Sequence, residues 1–273
     1  MIDSHAHIHD EKFGVDRDEV ARRAREAGVC KMVTIGTSIQ ESRDAIQCAE
    51  KYKGVFATVA VHPEEYSKLP DVELQTAWME ELSRLSENPK VVAIGECGLD
   101  YHAFNGIAIT DKQKECQKQG FLEHLELSSR TGKPIVIHAR ESYEDVLELL
   151  RTFVSKIPNI ILHCYQGDTK ITEKFLGLGE KVNFSFAGNI TYPVKKSAQG
   201  TDDDIREVVR MIPMGRILSE TDCPYLAPQK FRGTRNEPAY VVEVVRAIAE
   251  FKSISLEETA RQTCENAERI FRI

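Results

Sequence analysis

The sequence lacks the features that mark several special classes of protein. Its apolar stretches are interrupted well before the roughly 20 residues that a membrane-spanning helix needs, so no membrane segment is expected. Its seven cysteines form no C-x-x-C pair and are odd in number, which argues against a disulfide framework and against a thiolate zinc site. No basic stretch followed by a long apolar one comes after Met1. A secretory signal is therefore not expected, and we predict a cytoplasmic location.

Excess positive charge is missing as well. The chain has 43 acidic and 36 basic residues, which give a formal net charge of −7 at pH 7. Such a protein repels nucleic acid as a whole, so a polyanionic substrate needs a local basic patch or metal ions to hold it. With 41% hydrophobic residues, the remaining composition is that of an ordinary globular protein.

Short apolar runs rich in Val and Ile recur along the chain, with stretches of helical periodicity between them. The runs lie near 2–5, 31–37, 55–61, 91–96, 134–138, 159–164, 182–188 and 216–221. The helical stretches lie at 17–28, 40–52, 110–132, 142–153, 239–251 and 255–271. Nearly continuous apolar strands that alternate with helices are typical of a parallel sheet covered on both faces. Eight such strands predict an α/β fold of the (β/α)8 TIM-barrel class, in one domain over residues 1–273. A doubly wound open sheet is the alternative fold.

Three of the eight histidines stand at alternate positions in IDSHAHIHD, residues 2–10. Side chains at i and i+2 of a strand share a face, so His5 and His7 can bind one metal ion together. An H-x-H at the start of a chain can equally be a solvated turn. His9 lies past the predicted strand end, where an exposed loop histidine is expected.

The later strands make a metal centre the favoured interpretation. Ionisable residues stand at the ends of strands four, five, six and eight, namely Glu96, His138, His163 and the pair Glu220 and Asp222. In a (β/α)8 barrel these ends lie at the face where active sites are built, and such groups are costly to bury unless they are paired or bind metal. With His5 and His7, these are too many ligands for one tetrahedral zinc, but six of them suit two ions with a bridging carboxylate.

Other polar residues are candidates for substrate binding. His62 follows strand three and can bind phosphate or transfer a proton, or it can be a polar residue entering a loop. Arg140, Arg232 and Arg235 can bind phosphate through their guanidinium groups, or can be ordinary surface arginines. Glu220 lies on the same strand face as Asp222 and can orient a ligand or move a proton.

The motifs together resemble the TatD family of metal-dependent hydrolases, a branch of the amidohydrolase superfamily. Those that carry the resemblance run along the whole chain: DSHAHIHD, VAVHPEE, AIGECGLDY, PIVIHARES, ILHCYQGD, NFSFAGNITY, LSETDCPYLAP and RGTRNEPAYV. The resemblance implies a metal-dependent deoxyribonuclease. It also implies that the metal ligands are His5, His7, Glu96, His138, His163 and Asp222, with Glu96 in the bridging place.

We therefore predict that the chain cleaves DNA phosphodiester bonds with two divalent ions, which lower the pKa of a shared water. Imidazole and oxygen ligands suit zinc, manganese or magnesium. Asp222 is the predicted general base, and Glu96, Glu220 and His62 complete the catalytic set. The alternative is a metal-dependent ester or amide hydrolase, such as a D-aminoacyl-tRNA deacylase. A barrel that binds metal or nucleic acid without turnover ranks last, and no obligate protein partner is indicated.

Overall fold

Eight strands and ten helices form in the computed structural model, which describes residues 1–68, 72–103, 106–193 and 205–273. The strands are β1 Ile2–Ala6, β2 Lys31–Thr34, β3 Val55–Val59, β4 Val91–Asp100, β5 Ile135–Arg140, β6 Ile160–Leu162, β7 Val182–Phe186 and β8 Ile217–Ser219. The helices in the described ranges are α1 Arg17–Glu26, α2 Ile39–Lys51, α3 Pro63–Lys68, α4 Val72–Leu85, α5 Asp111–Thr131, α6 Tyr143–Arg151, α7 Thr169–Gly177, α8 Ile205–Met211, α9 Val241–Lys252 and α10 Leu256–Phe271. All eight predicted strands are confirmed.

Four helices lie outside the stretches predicted to be helical. Three of them, α3, α7 and α8, have six, nine and seven residues, so an apolar period of 3.6 hardly repeats within them. Helix α4 has 14 residues and carries a regular pattern that the prediction passed over. No helix in the described ranges combines the length and the apolarity needed to cross a membrane.

The strands belong to one sheet whose order, β1 to β8, follows the chain. Strands in sequential order with helices between them are the pattern of the (β/α)8 fold class. Contacts divide the chain into two compact units. Unit 1 comprises Met1–Val33 and Cys164–Ile273, and unit 2 comprises Thr34–His163. The single domain over 1–273 stays a prediction.

In unit 1, the first and last strands of the chain lie side by side. The Asp222 N–H donates to the carbonyl of His5 at 2.9 Å, and the His7 N–H donates to the carbonyl of Cys223 at 2.7 Å. Strand β7 pairs in parallel with β8, and every residue of β1 and β7 is buried. The ends of β1 and β8 are therefore held together by backbone hydrogen bonds.

In unit 2, strands β3 to β6 pair in parallel, and one irregularity matters for the site. Along β4 and β5, Ile94 is opposite Ile135 and Cys97 is opposite Ile137, so three steps on β4 face two steps on β5. This extra residue is a β-bulge, which turns the local side chains to a new direction. Strand β4 continues to Asp100, four residues beyond the predicted end.

Candidate metal-binding clusters

The first cluster lies in unit 1 and consists of His5, His7 and Asp222. Asp222 Oδ1 is 3.6 Å from His5 Nε2 and 3.4 Å from His7 Nε2. These separations are long for hydrogen bonds. Two donor atoms that each lie about 2.0–2.2 Å from one tetrahedral ion are roughly 3.4 Å apart. The spacing in the first cluster therefore fits ligands of a common ion.

Backbone contacts and a buried carboxylate hold Asp222 in place. Asp222 has a φ of 55°, in the left-handed region that a residue with a Cβ adopts only when its surroundings impose it. Asp3 is fully buried and accepts hydrogen bonds from the Thr221 O–H at 2.6 Å and the Thr221 N–H at 2.9 Å. Burial raises the pKa of Asp3 to about 8 despite these bonds. Asp3 thus anchors the turn that carries Asp222.

His9 is not exposed, which corrects the expectation from the sequence. It lies past the end of β1 as predicted, but it is only 8% exposed and its carbonyl accepts a hydrogen bond from Arg17. Burial, together with the neighbouring His7 and Arg17, lowers the pKa of His9 to about 3, so the ring is neutral at pH 7. The loop is covered because Arg17 ties it to the start of α1.

The second cluster lies in unit 2, where three imidazoles converge on one oxygen of Glu96. Glu96 Oε1 is 2.8 Å from His138 Nδ1, 2.9 Å from His163 Nε2 and 3.5 Å from His62 Nε2. Glu96 and His163 are 5% and 7% exposed. A buried carboxylate with several imidazoles is a donor set typical of a divalent ion.

The bulge in β4 aims Glu96 at these histidines. Gly95, which precedes it, has a φ of 143°, a conformation that favours glycine. A Cβ at this position would lie 2.5 Å from the carbonyl oxygen of Val136. The Glu96 N–H donates to the carbonyl of Gly36 at 3.1 Å. Glycine is therefore required at position 95, where the bulge turns the Glu96 side chain out of the regular alternation of β4.

Asp100 is a site residue that the sequence reasoning missed. His138 Nε2 donates to Asp100 Oδ2 at 3.1 Å, so both ring nitrogens of His138 face carboxylates. Burial disfavours the charged ring, but the hydrogen bonds to Asp100 and Glu96 outweigh it and raise the pKa of His138 to about 9. A carboxylate behind a metal-binding histidine fixes its orientation and increases its basicity. The sequence carries a signal for this role, because Asp100 lies in the GLDY motif at the end of β4, the strand that precedes the His138 strand.

A buried glutamine supports Asp100 in turn. Gln117 on α5 is 1% exposed; its Oε1 accepts from the Asp100 N–H at 2.8 Å and its Nε2 donates to the Asp100 carbonyl at 2.9 Å. Asp100 Oδ1 also accepts from the N–H of His102 at 2.9 Å. Both carboxylate oxygens and both backbone groups of Asp100 are thereby occupied.

His62 presents its Nε2 to the second cluster. Its Nδ1 accepts a hydrogen bond from the Glu64 N–H at 3.3 Å, so a neutral ring carries its proton on Nε2. The preceding N–H, that of Val61, donates to Nε2 of the buried His124 at 3.1 Å, while His124 Nδ1 donates to the carbonyl of Gly120 at 2.7 Å. Burial lowers the pKa of His124 to about 4. The neutral His124 ring therefore links the backbone beside His62 to helix α5.

Glu220 is buried at the end of β8 and touches the backbone rather than open space. Its Oε1 accepts the Cys164 N–H at 2.7 Å, and its own N–H donates to the carbonyl of Phe186 at 3.1 Å. Cys164, which follows His163 in sequence, has a φ of 44°. Glu220 thus fixes the turn that begins directly after a predicted metal ligand.

The two arginines of the 232–236 run have different surroundings in unit 1. Arg235 forms a bidentate pair with Asp16 at 2.6 and 2.9 Å and donates to the carbonyl of Lys12 at 2.6 Å. Arg232 is exposed and lies over the ring of Tyr192 at 4.1 Å, with no carboxylate among the described residues in ion-pair contact. This arrangement favours Arg232 over Arg235 as a phosphate contact. Arg140, in unit 2, is exposed at the end of β5.

The donor chemistry of both clusters fits divalent ions. Each offers imidazole nitrogens and carboxylate oxygens, and no described cysteine belongs to either. Such ligands suit zinc and manganese, and in part magnesium.

Comparison with known proteins identifies similar chains. A family model described as TatD related DNase matches residues 2–272. An uncharacterized metal-dependent hydrolase, YabD of Bacillus subtilis, is 38% identical, and the match covers 100% of this chain and 99% of that protein. The 3'-5' ssDNA/RNA exonuclease TatD of Klebsiella pneumoniae is 34% identical, with 100% and 98% covered. The crystal structure of YJJV, a TatD homologue from Escherichia coli, has a TM-score of 0.86 at 27% identity and covers 100% of this chain and 98% of that one. The predicted (β/α)8 fold class is confirmed.

Proposed function

The chain belongs to the TatD-related DNase family of metal-dependent hydrolases, and we propose that it hydrolyses phosphodiester bonds in single-stranded DNA or RNA. The observation that carries the proposal is the convergence of three imidazoles on Glu96 Oε1. The name of the Klebsiella relative, a 3'-5' ssDNA/RNA exonuclease, supports this substrate class and removal of nucleotides from the 3' end.

Two divalent ions are proposed, one for each cluster. His5, His7 and Asp222 would hold the first, and Glu96, His138 and His163 would hold the second. Divalent ions, when bound, neutralise charge on phosphoryl oxygens and make water a better nucleophile near neutral pH. The sharing of Glu96 by both ions stays a prediction, and zinc, manganese and magnesium all fit the donors.

The protein's own groups would position the substrate and move the proton. Asp222 is the proposed general base, since its carboxylate is 14% exposed and its backbone is fixed by hydrogen bonds to β1 and to the turn that follows. His62 would donate a hydrogen bond from its Nε2–H to a phosphate oxygen, because its Nδ1 already accepts the Glu64 N–H. Glu220 would orient the turn after His163 rather than transfer a proton.

Binding of a polyanion by this acidic chain requires local positive charge. Arg232 is the better placed of the two loop arginines, because its guanidinium is held over the Tyr192 ring and, unlike that of Arg235, is not engaged by a carboxylate of the described residues. Arg140 is proposed as a further phosphate contact. A cytoplasmic location stays a prediction.

The proposed function is tested with protein stripped of metal and reloaded with one metal at a time. Labelled single-stranded and double-stranded DNA and RNA are supplied, and the product ends are mapped. We expect stepwise removal of nucleotides from the 3' end of single strands, dependent on added metal. Absence of cleavage with every metal, or release of an amino acid from aminoacyl-tRNA without cleavage of oligonucleotides, would contradict the proposal.

A further inference from the structure

An exposed aromatic ring stands beside the first cluster in unit 1. Tyr225 is 48% exposed and is the only aromatic among the exposed large apolar side chains of the described residues. Its ring centroid is 6.0 Å from that of His7, with the planes at 76°. No residue in the described ranges hydrogen-bonds its hydroxyl. The Tyr225 ring contacts His7, but about half of the residue's surface remains open to a ligand.

The backbone holds this ring rigidly. The Tyr225 N–H donates to the carbonyl of Asp222 at 2.9 Å. The side-chain amide of Asn236, itself fully buried, donates to the carbonyls of Tyr225 at 2.6 Å and Thr221 at 2.8 Å. The same turn thus carries a proposed metal ligand and an exposed ring, and their relative position is fixed before any substrate arrives.

Positive charge accompanies the ring. Lys12 is exposed, and its Nζ lies over the Tyr225 ring, 4.3 Å from the centroid. Proteins that bind single-stranded nucleic acid without sequence preference combine these two elements, an aromatic face for a base and cations that follow the phosphates. In a chain with a net charge of −7, such a local pair is where a strand can be held.

Resting on the proposed function, we infer that Tyr225 stacks on a base of the single-stranded substrate next to the cleaved phosphate, and that Lys12 contacts a neighbouring phosphate. The Tyr225 ring lies 6.0 Å from the His7 ring, measured between centroids, so a base stacked on it lies next to the first cluster. Stacking tolerates every base, so this contact gives binding without sequence preference.

The test compares Tyr225→Ala and Tyr225→Phe with the parent, all loaded with metal, on a labelled single-stranded oligonucleotide. We expect Tyr225→Ala to raise KM by about 5- to 150-fold with kcat within about twofold, the effect of one lost stacked base. Tyr225→Phe should retain the parental KM. Tyr52→Ala is the matched control, because Lys51 lies over the Tyr52 ring in the same manner, 4.7 Å from its centroid; its KM should be parental.

Oligonucleotides with a single abasic nucleotide, placed in turn at each of the last four 3' positions, separate stacking from a structural role. At one of these positions, the abasic nucleotide should raise the KM of the parent by the same factor as Tyr225→Ala raises it on the intact oligonucleotide. On that abasic substrate, Tyr225→Ala should cause no further rise in KM. Lys12→Gln should reduce the slope of log KM against log salt by about 0.7, the value for one phosphate of a single strand. Metal content and Tm of each variant are measured on the same preparation.

The outcomes distinguish this inference from the proposed function. A parent that cleaves no oligonucleotide with any metal contradicts the proposed function itself. A parent that cleaves, with a Tyr225→Ala variant of unchanged KM, overturns the inference alone. The inference is also overturned if Tyr225→Ala raises KM equally on every abasic substrate, or if the rise in KM accompanies a loss of metal. Tyr225 would then support the first cluster rather than bind a base.

Discussion

Replacing Asp100 by Asn should loosen the ion proposed for the second cluster without unfolding the protein. Asp100 accepts the His138 Nε2–H on one oxygen and the His102 N–H on the other. The asparagine side chain has one carbonyl oxygen and one NH2 group, so it can satisfy only one of these donors. Either His138 or the His102 backbone would face an NH2 group.

The magnitude follows from the bond that is lost. The Asp100 side chain is 7% exposed, so water does not replace the missing acceptor. A hydrogen bond to a charged group contributes about 1.5–3 kcal/mol, which corresponds to roughly 10- to 150-fold in an equilibrium constant. Carboxylates behind metal-binding histidines show a similar range of about 10- to 100-fold in metal affinity or activity.

The assay is a titration of metal-free protein with zinc against a chelating dye, which resolves two affinities if two ions bind. Asp100→Asn should weaken one affinity by the factor above and leave the other unchanged, with a matching fall in nuclease rate at limiting zinc. Asp145→Asn is the control, because Asp145 in the same unit also accepts from two donors, Tyr101 and Lys118, but contacts no proposed ligand. Parental zinc affinities in Asp100→Asn, or an equal loss in Asp145→Asn, would refute the reasoning.

Three further predictions concern the clusters and their surroundings. Glu96→Gln should reduce bound metal and lower turnover by orders of magnitude with little change in Tm; retention of two ions and parental activity would show that Glu96 is not a shared ligand. Arg232→Ala should raise KM for oligonucleotides at constant Tm, whereas Arg235→Ala should mainly lower stability, by about 1 kcal/mol, because it breaks a partly exposed ion pair; the reverse pattern in KM and Tm would contradict this. The free energy of unfolding should fall by about 3 kcal/mol more in the parent than in His124→Gln as the pH drops from 6.5 to 4. In that range the unfolded chain binds a proton that His124, with its pKa lowered to about 4, does not; parallel pH profiles would exclude this role.

The strands could be predicted because their side chains are buried on both faces. Parallel strands such as β5 and β7 read as apolar runs, and the residues at their ends become visible as breaks in those runs. That is why the chain alone indicates Glu96, His138 and His163 as candidate ligands, which stays a prediction. The end of β4 was misplaced at Glu96, because a bulge interrupts the alternation there and the strand continues to Asp100.

Contacts between distant residues set the limit of the prediction. Arg235 stays a predicted substrate contact, but its bidentate pair with Asp16 could not be predicted, because Asp16 stands 219 positions away and belongs to no local pattern. Asp100 was missed for the same reason, since its role depends on the second nitrogen of a histidine 38 positions further on. The burial of His9 could not be predicted at shorter range either, because the sequence pattern does not show that Arg17, eight positions further on, donates a hydrogen bond to the His9 carbonyl.

The distance in sequence between the ends of β1 and β8 has a consequence for biosynthesis. Asp3 and Thr221, which hold the first cluster together, are 218 positions apart, so that cluster cannot form until nearly the whole chain has left the ribosome. All donors of the second cluster lie within unit 2 and are synthesised well before Asp222. Because a preformed site captures metal and an unfolded one rarely does, we expect a growing chain to bind the ion proposed for the second cluster before the ion proposed for the first.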